Sequence, residues 1–200
     1  MRSKSKQITV TAAIAALYAV MTLASAALGL AYGSVQFRIS EALTALAAFN
    51  PYVVVGLTLG CALGNIASPF GVIDILFGSA ATLVSSVLIR AVGKSVLRRY
   101  GIPPADRKIR VRLIVIITAA AAFISAAVNG VLVGAETLLT TATDAPVPLF
   151  LTTVVSVAIG EISVCLVLCP LLTSVIFRVR RLSGFLYYPS KRSVNGNESI

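Results

Sequence analysis

The sequence predicts an all-α integral membrane protein, a six-helix transmembrane bundle with a short second helix and with N- and C-termini on the cytoplasmic side. Three observations carry this. Of the 200 residues, 58% are hydrophobic and 12% charged, too little polar surface to enclose a water-soluble core. Apolar stretches at 8–30, 52–67, 72–92, 113–139 and 148–177 approach or exceed the ~20 residues that a hydrocarbon core demands. The seventeen Lys and Arg also cluster, three in the first six residues, eight from Arg90 to Arg112 and five from Arg178 onward. That is the distribution of cytoplasmic flanks, where cationic side chains resist translocation.

If those three segments lie on one side, an even number of crossings separates each from the next. The first helix covers about 8–28, followed by an outer loop through Tyr32, Gly33 and Gln36. Its basic start and the triplet Ala24-Ser25-Ala26 resemble a cleaved signal peptide, but the apolar run has the length of a full span. The second helix covers about 39–49, and at ~1.5 Å per residue it cannot cross the bilayer. It is expected to be half-buried in a thinned bilayer or sheltered by protein. Asn50-Pro51 ends it and opens the third helix, since Pro suits a first turn and disfavours helix in the residue before it.

The third helix carries Gly56, Gly60 and Gly64 at four-residue spacing, a stripe that lets a neighbouring backbone approach closely. Ser68-Pro69-Phe70-Gly71 turns into the fourth helix. Gly101-Ile102-Pro103-Pro104 marks the central basic loop, and Asp144 to Pro148 joins the fifth helix to the sixth. Residues 1–186 are expected to form a single transmembrane domain, and 187–200 a polar, disordered cytoplasmic tail.

Ionisable residues in spanning segments are costly, so a functional site is their default reading. The topology places Asn65, Asp74, Asn129, Glu136 and the flanking Gln36, Arg38 and Glu41 in one outer layer. Glu161 lies deeper, about thirteen residues or ~20 Å into the sixth helix, near the midplane. Structural alternatives stand beside these. Arg38 and Glu41, three apart, can pair with each other at a helix start. Asp74 suits a first-turn position through the helix dipole, and Glu136 can lie exposed at the membrane surface. Glu161 is the hardest to dismiss, because a midplane carboxylate must be paired, protonated or bound.

Several chemistries are excluded. Gly93-Lys94-Ser95 has Leu88 where a phosphate-binding loop needs glycine. There is no histidine, and the sparse carboxylates form no two-metal pattern. No serine has a base partner at recognisable spacing, so neither an enzyme nor a cofactor or metal site is expected. The +10 net charge reports topology, and nucleic acid is not an expected partner. Cys61, Cys165 and Cys169 sit in apolar stretches and read as small hydrophobes. Asn197-Glu198-Ser199 matches a glycosylation acceptor but falls in the cytoplasmic tail.

The segment Gln36-Phe37-Arg38-Ile39-Ser40-Glu41-Ala42-Leu43, followed by Phe49-Asn50-Pro51, resembles the QueT-like family, the queuosine-precursor substrate-binding subunits of energy-coupling factor transporters. Matching stretches continue at 60–65, 74–83 and Ile159-Gly160-Glu161, and the resemblance covers roughly 8–172. It implies a multi-pass subunit of the bacterial plasma membrane that captures a micronutrient from outside. Such a subunit docks on a transmembrane coupling protein and two ATPase subunits. Small residues on the first helix would form the docking face, here Ala12 with Ala16 and Ala15 with Ala19, though packing within the bundle explains them equally well. The run from Asn129 to Glu136 departs from the family's pattern.

The implied small-molecule substrate is a 7-deazaguanine base, whose ring N–H and exocyclic amine offer two parallel donors to a carboxylate. Glu161 or Glu41 would read that edge, with Asn129, Asn65 and Gln36 completing the hydrogen bonds. Asp74 or Glu136 would meet the amine of queuine or 7-aminomethyl-7-deazaguanine. Phe37, Phe70, Phe77 and Phe123 are available for stacking. Two other readings remain open, a stand-alone proton-coupled permease and a non-transporting membrane scaffold.

Overall fold

The computed structural model describes residues 4–31, 36–100, 106–179 and 186. Five α-helices, α1 (Lys4–Ala27), α2 (Pro51–Gly64), α3 (Val72–Tyr100), α4 (Arg107–Thr140) and α5 (Pro146–Arg178), surround a 3-10 helix at Ile39–Ala48. The six-helix count agrees with the sequence. Four of the α-helices, all but α2, are long and apolar enough to cross a membrane. With the 3-10 turn Asn65–Ala67 that extends it, α2 reaches about 27 Å, close to the hydrocarbon thickness. Large apolar side chains such as Val20, Leu76, Val115 and Val167 point outward, the surface expected of a bundle solvated by lipid.

Helix starts follow local chemistry. Asn50 caps α2 by accepting a 2.9 Å bond from the Tyr52 amide, with Pro51 in the first turn. Asp106 caps α4 through a 2.8 Å bond from the Lys108 amide. Gly71 precedes α3 with φ +66°, a conformation that glycine adopts without steric cost. The glycine stripe of α2 faces α1. A Cβ on Gly56 would lie 2.7 Å from the Thr11 carbonyl oxygen, one on Gly60 2.7 Å from that of Ala15, and one on Gly64 2.8 Å from Thr22 Cβ. Gly56 and Gly60 thus meet the backbone of α1 and Gly64 the Thr22 side chain, close approaches that the missing Cβ allows.

The second predicted helix resolves into the less expected of two forms. It is a ten-residue 3-10 helix, where runs beyond 3–4 residues are uncommon. At ~2.0 Å per residue it extends about 20 Å, against ~15 Å for an α-helix of the same length. Every residue from Ser40 to Ala48 is buried, and all five α-helices touch it. Protein therefore shelters it on all sides, and no thinning of the bilayer is needed. Its far end is held at the basic end of the bundle, where Arg90 Nη1 donates a 2.6 Å bond to the Ala48 carbonyl. A Cβ on Gly93 would lie 2.5 Å from Ala48 Cα, so the glycine of the rejected Gly-Lys-Ser motif serves packing.

The basic segment from Arg90 to Arg112 is mostly helix, because α3 runs to Tyr100 and α4 begins at Arg107. The motif at 101–104, Tyr32 and Gly33 of the first loop, and the tail at 187–200 with its glycosylation match lie outside the described residues.

Candidate ligand-binding site

Four of the chain's seven acids are buried inside the bundle, Glu41 at 1% exposure, Asp74 at 2%, Glu136 at 4% and Glu161 at 5%. Four different elements supply them. Glu41 lies in the first turn of the 3-10 helix, Asp74 in the first turn of α3, Glu136 near the end of α4 and Glu161 midway along α5. Arg38, just before the 3-10 helix, is the one buried cation among the described residues. Isolated buried charges are expensive, so this excess of acid over base must be met by pairing, by protonation or by a bound ligand.

Arg38 Nη2 stands 3.5 Å from Asp74 Oδ1, and Arg38 Nε donates to the Ala31 carbonyl at 3.4 Å. Asn65 Nδ2 donates to the Asp74 carbonyl at 3.0 Å and reaches Asp74 Oδ1 at 3.4 Å. Gly78, one turn beyond Asp74, makes this possible, since a Cβ there would lie 2.3 Å from Asn65 Nδ2. Asn65, Arg38 and Asp74 thus form one unit. Arg38 makes its ion pair with Asp74, and Glu41, offered as its partner from sequence, accepts a hydrogen bond from the Tyr18 hydroxyl on α1.

A second unit sits deeper. Asn129 Nδ2 donates to Glu161 Oε1 at 2.8 Å, with the buried Ser125 a turn below Asn129 on the same helix. The first loop presses on α5 just before Glu161, where a Cβ on Gly160 would lie 1.9 Å from the Gln36 carbonyl oxygen. Glycine at 160 is therefore what lets the loop close over this part of the helix.

Above these units opens a cavity of about 240 Å³ whose lining includes Gln36, Phe70, Asp74, Glu136, Val133 and Val157. Val133 and Val157 each stand one turn from Asn129 and Glu161, so they floor the cavity over the deeper pair. Its wall carries Thr137, Thr140, Thr141 and Thr153. Five buried carboxylate oxygens have no hydrogen-bond partner among the described residues: both of Glu136, and one each of Glu41, Asp74 and Glu161. Such atoms call for donors, and a site built this way suits a ligand rich in N–H groups.

The structure therefore splits the sequence-derived set into levels. Gln36, Asp74 and Glu136 line the cavity, Arg38 and Asn65 brace Asp74, and Glu41, Asn129 and Glu161 lie beneath. Glu136 is buried, which removes the alternative of exposure at the membrane surface. Of the four aromatic candidates Phe70 lines the cavity, whereas Phe123 faces outward and Phe37 packs against the core. Phe77 is half-buried. On α1, Ala12 and Ala16 are exposed and Ala19 is half-buried, but Ala15 turns inward against Gly60. The two alanine spacings thus fall on different faces.

Sequence reasoning missed Tyr18 and the threonine wall. Tyr18 had a signal, being a tyrosine in mid-span whose hydroxyl needs a partner when buried. The threonines had none, since they recur throughout the apolar stretches.

A lipid-facing helical bundle with an acid-lined cavity near one end, and no catalytic constellation among the described residues, has the makings of a membrane transport protein. The chain belongs to the QueT transporter family, whose profile matches residues 8–178; it is a transporter-family protein and not an enzyme. It is 37% identical over 83 residues to the queuosine precursor transporter QueT of Lactococcus lactis subsp. cremoris (strain MG1363), a stretch of 42% of this chain. That alignment spans about half of the relative, 48% of its length. No solved structure matches the chain.

Proposed function

We propose that this chain is the substrate-binding membrane subunit of an energy-coupling factor transporter that imports a queuosine precursor, a 7-deazaguanine base, across the bacterial plasma membrane. Family membership and the name of the Lactococcus relative, a queuosine precursor transporter, support the substrate class. The observation that carries the reading is the set of buried, unpartnered carboxylate oxygens in and beneath the cavity. A guanine-type edge supplies an N–H donor for the one of these that faces it, Asp74 Oδ2. The cavity, at about 240 Å³, is small beside the ~300–1,000 Å³ of drug-sized sites, which suits a small base.

In this reading Asp74, oriented by Arg38 and Asn65, accepts from the base edge, Gln36 donates to the ring carbonyl, and Phe70 covers the ring. Glu41 and Glu161, assigned from sequence to the base edge, lie below Val133 and Val157 and support the floor. The exposed Ala12 and Ala16 form the docking face for the transmembrane coupling protein, with Ala19 at its margin. The two ATPase subunits supply the energy. Ala15 belongs to the α1–α2 seam.

Calorimetry on the purified full chain tests this. Wild type is expected to bind 7-deazaguanine bases at micromolar strength or better, Asp74→Ala and Gln36→Ala to weaken binding at least about tenfold, and the exposed Arg98→Ala to leave it unchanged. Failure of wild type to bind any of these bases would overturn the substrate assignment. Uptake in cells should require the coupling module, and uptake that persists without it would refute the subunit role.

A further inference from the structure

The hydrogen-bonding inventory of the cavity is lopsided. Thr137 Oγ1 donates to the Val133 carbonyl at 2.8 Å, Thr140 Oγ1 to the Glu136 carbonyl at 3.0 Å, and Thr153 Oγ1 to the Leu149 carbonyl at 2.9 Å. With their protons committed to their own helices, these hydroxyls can offer the cavity only lone pairs. Asp74 Oδ2 adds an unpartnered acceptor, although the rest of that side chain is held by Arg38 and Asn65. Glu136 differs from all of these, since neither carboxylate oxygen has a partner among the described residues although the side chain is buried. Apart from the Gln36 amide and the Thr141 hydroxyl, the lining around Glu136 thus offers acceptors.

We infer that Glu136, with the threonine oxygens around it, forms a subsite for a cationic amine and makes the cavity select amine-bearing 7-deazaguanines over the neutral 7-cyano base. This rests on the proposed function and deepens it. An ammonium brings a charge and three N–H donors, which match the carboxylate and the hydroxyl lone pairs. A nitrile brings only an acceptor. It would face Glu136 and leave both carboxylate oxygens buried without a donor, which penalises binding. The guanine edge is common to the two ligands, so their difference isolates the substituent.

The test is calorimetric titration of the purified full chain with 7-aminomethyl-7-deazaguanine and with 7-cyano-7-deazaguanine. Wild type is expected to prefer the amine on the order of tenfold to a hundredfold. Glu136→Gln should lose that preference by weakening the amine alone, and Glu136→Asp should restore part of it. Equal affinities in wild type, or equal losses of both bases in Glu136→Gln, would overturn the inference while the base-binding function stood. If neither base bound wild type, the function and the inference would both fall. Should Glu136→Gln not fold, the wild-type ratio alone decides.

Discussion

Arg38 is placed among four buried acids and makes an ion pair with one of them, Asp74. Removing either partner is therefore not symmetrical. Arg38→Met leaves every acid and no buried cation among the described residues, whereas Asp74→Asn removes one member of an excess. Loss of one partner from a buried pair typically costs about 3–5 kcal/mol, and the full cost is expected for Arg38→Met with a smaller one for Asp74→Asn. Thermal denaturation in detergent checks the order of the two variants. Tyr18→Phe should lower stability by about 1–3 kcal/mol, because Glu41 loses its donor while staying buried. These partnerships explain what the sequence could and could not reveal. The polar residues themselves were legible as costly intruders in apolar stretches. Their pairing was not, since Tyr18 is 23 residues from Glu41 and Asn129 is 32 from Glu161, separations that only the folded bundle brings together.

At the scale of elements, the α1–α2 seam rests on glycines whose spacing was readable from the start. Gly60→Val would drive side-chain atoms into the Ala15 carbonyl and the Tyr18 Cβ, each 2.7 Å from a Cβ at that position. The cost is expected to be at least about 1–3 kcal/mol, and a matched change at the neighbouring lipid-facing Leu59 should cost much less. Chemical denaturation of the two variants tests the comparison. The 3-10 form of Ile39–Ala48 was not legible. Its composition, ISEALTALAA, suits an α-helix well, and the choice is made by the surrounding helices. Arg38 lies at one end of this element and the Ala48–Arg90 bond at the other, so both ends are tied into the bundle. Packing has overridden local propensity here.

For the whole molecule, the basic residues predict orientation and the structure supplies the axis. Arg90, Arg98 and Arg99 near the end of α3, Arg107 and Lys108 at the start of α4, and Arg178 at the end of α5 mark one end. Asp74 and Glu136 mark the other, so a cytoplasmic basic end puts the cavity outside. One labelling experiment examines this arrangement and the ligand together. The three native cysteines are buried and should react slowly with maleimides, while Thr140, on the cavity wall and exposed, can be replaced by cysteine. In intact cells, Thr140→Cys is expected to react with a membrane-impermeant maleimide added outside, and 7-aminomethyl-7-deazaguanine is expected to protect it. Labelling only after permeabilisation, or no protection by any queuosine precursor, would contradict the account.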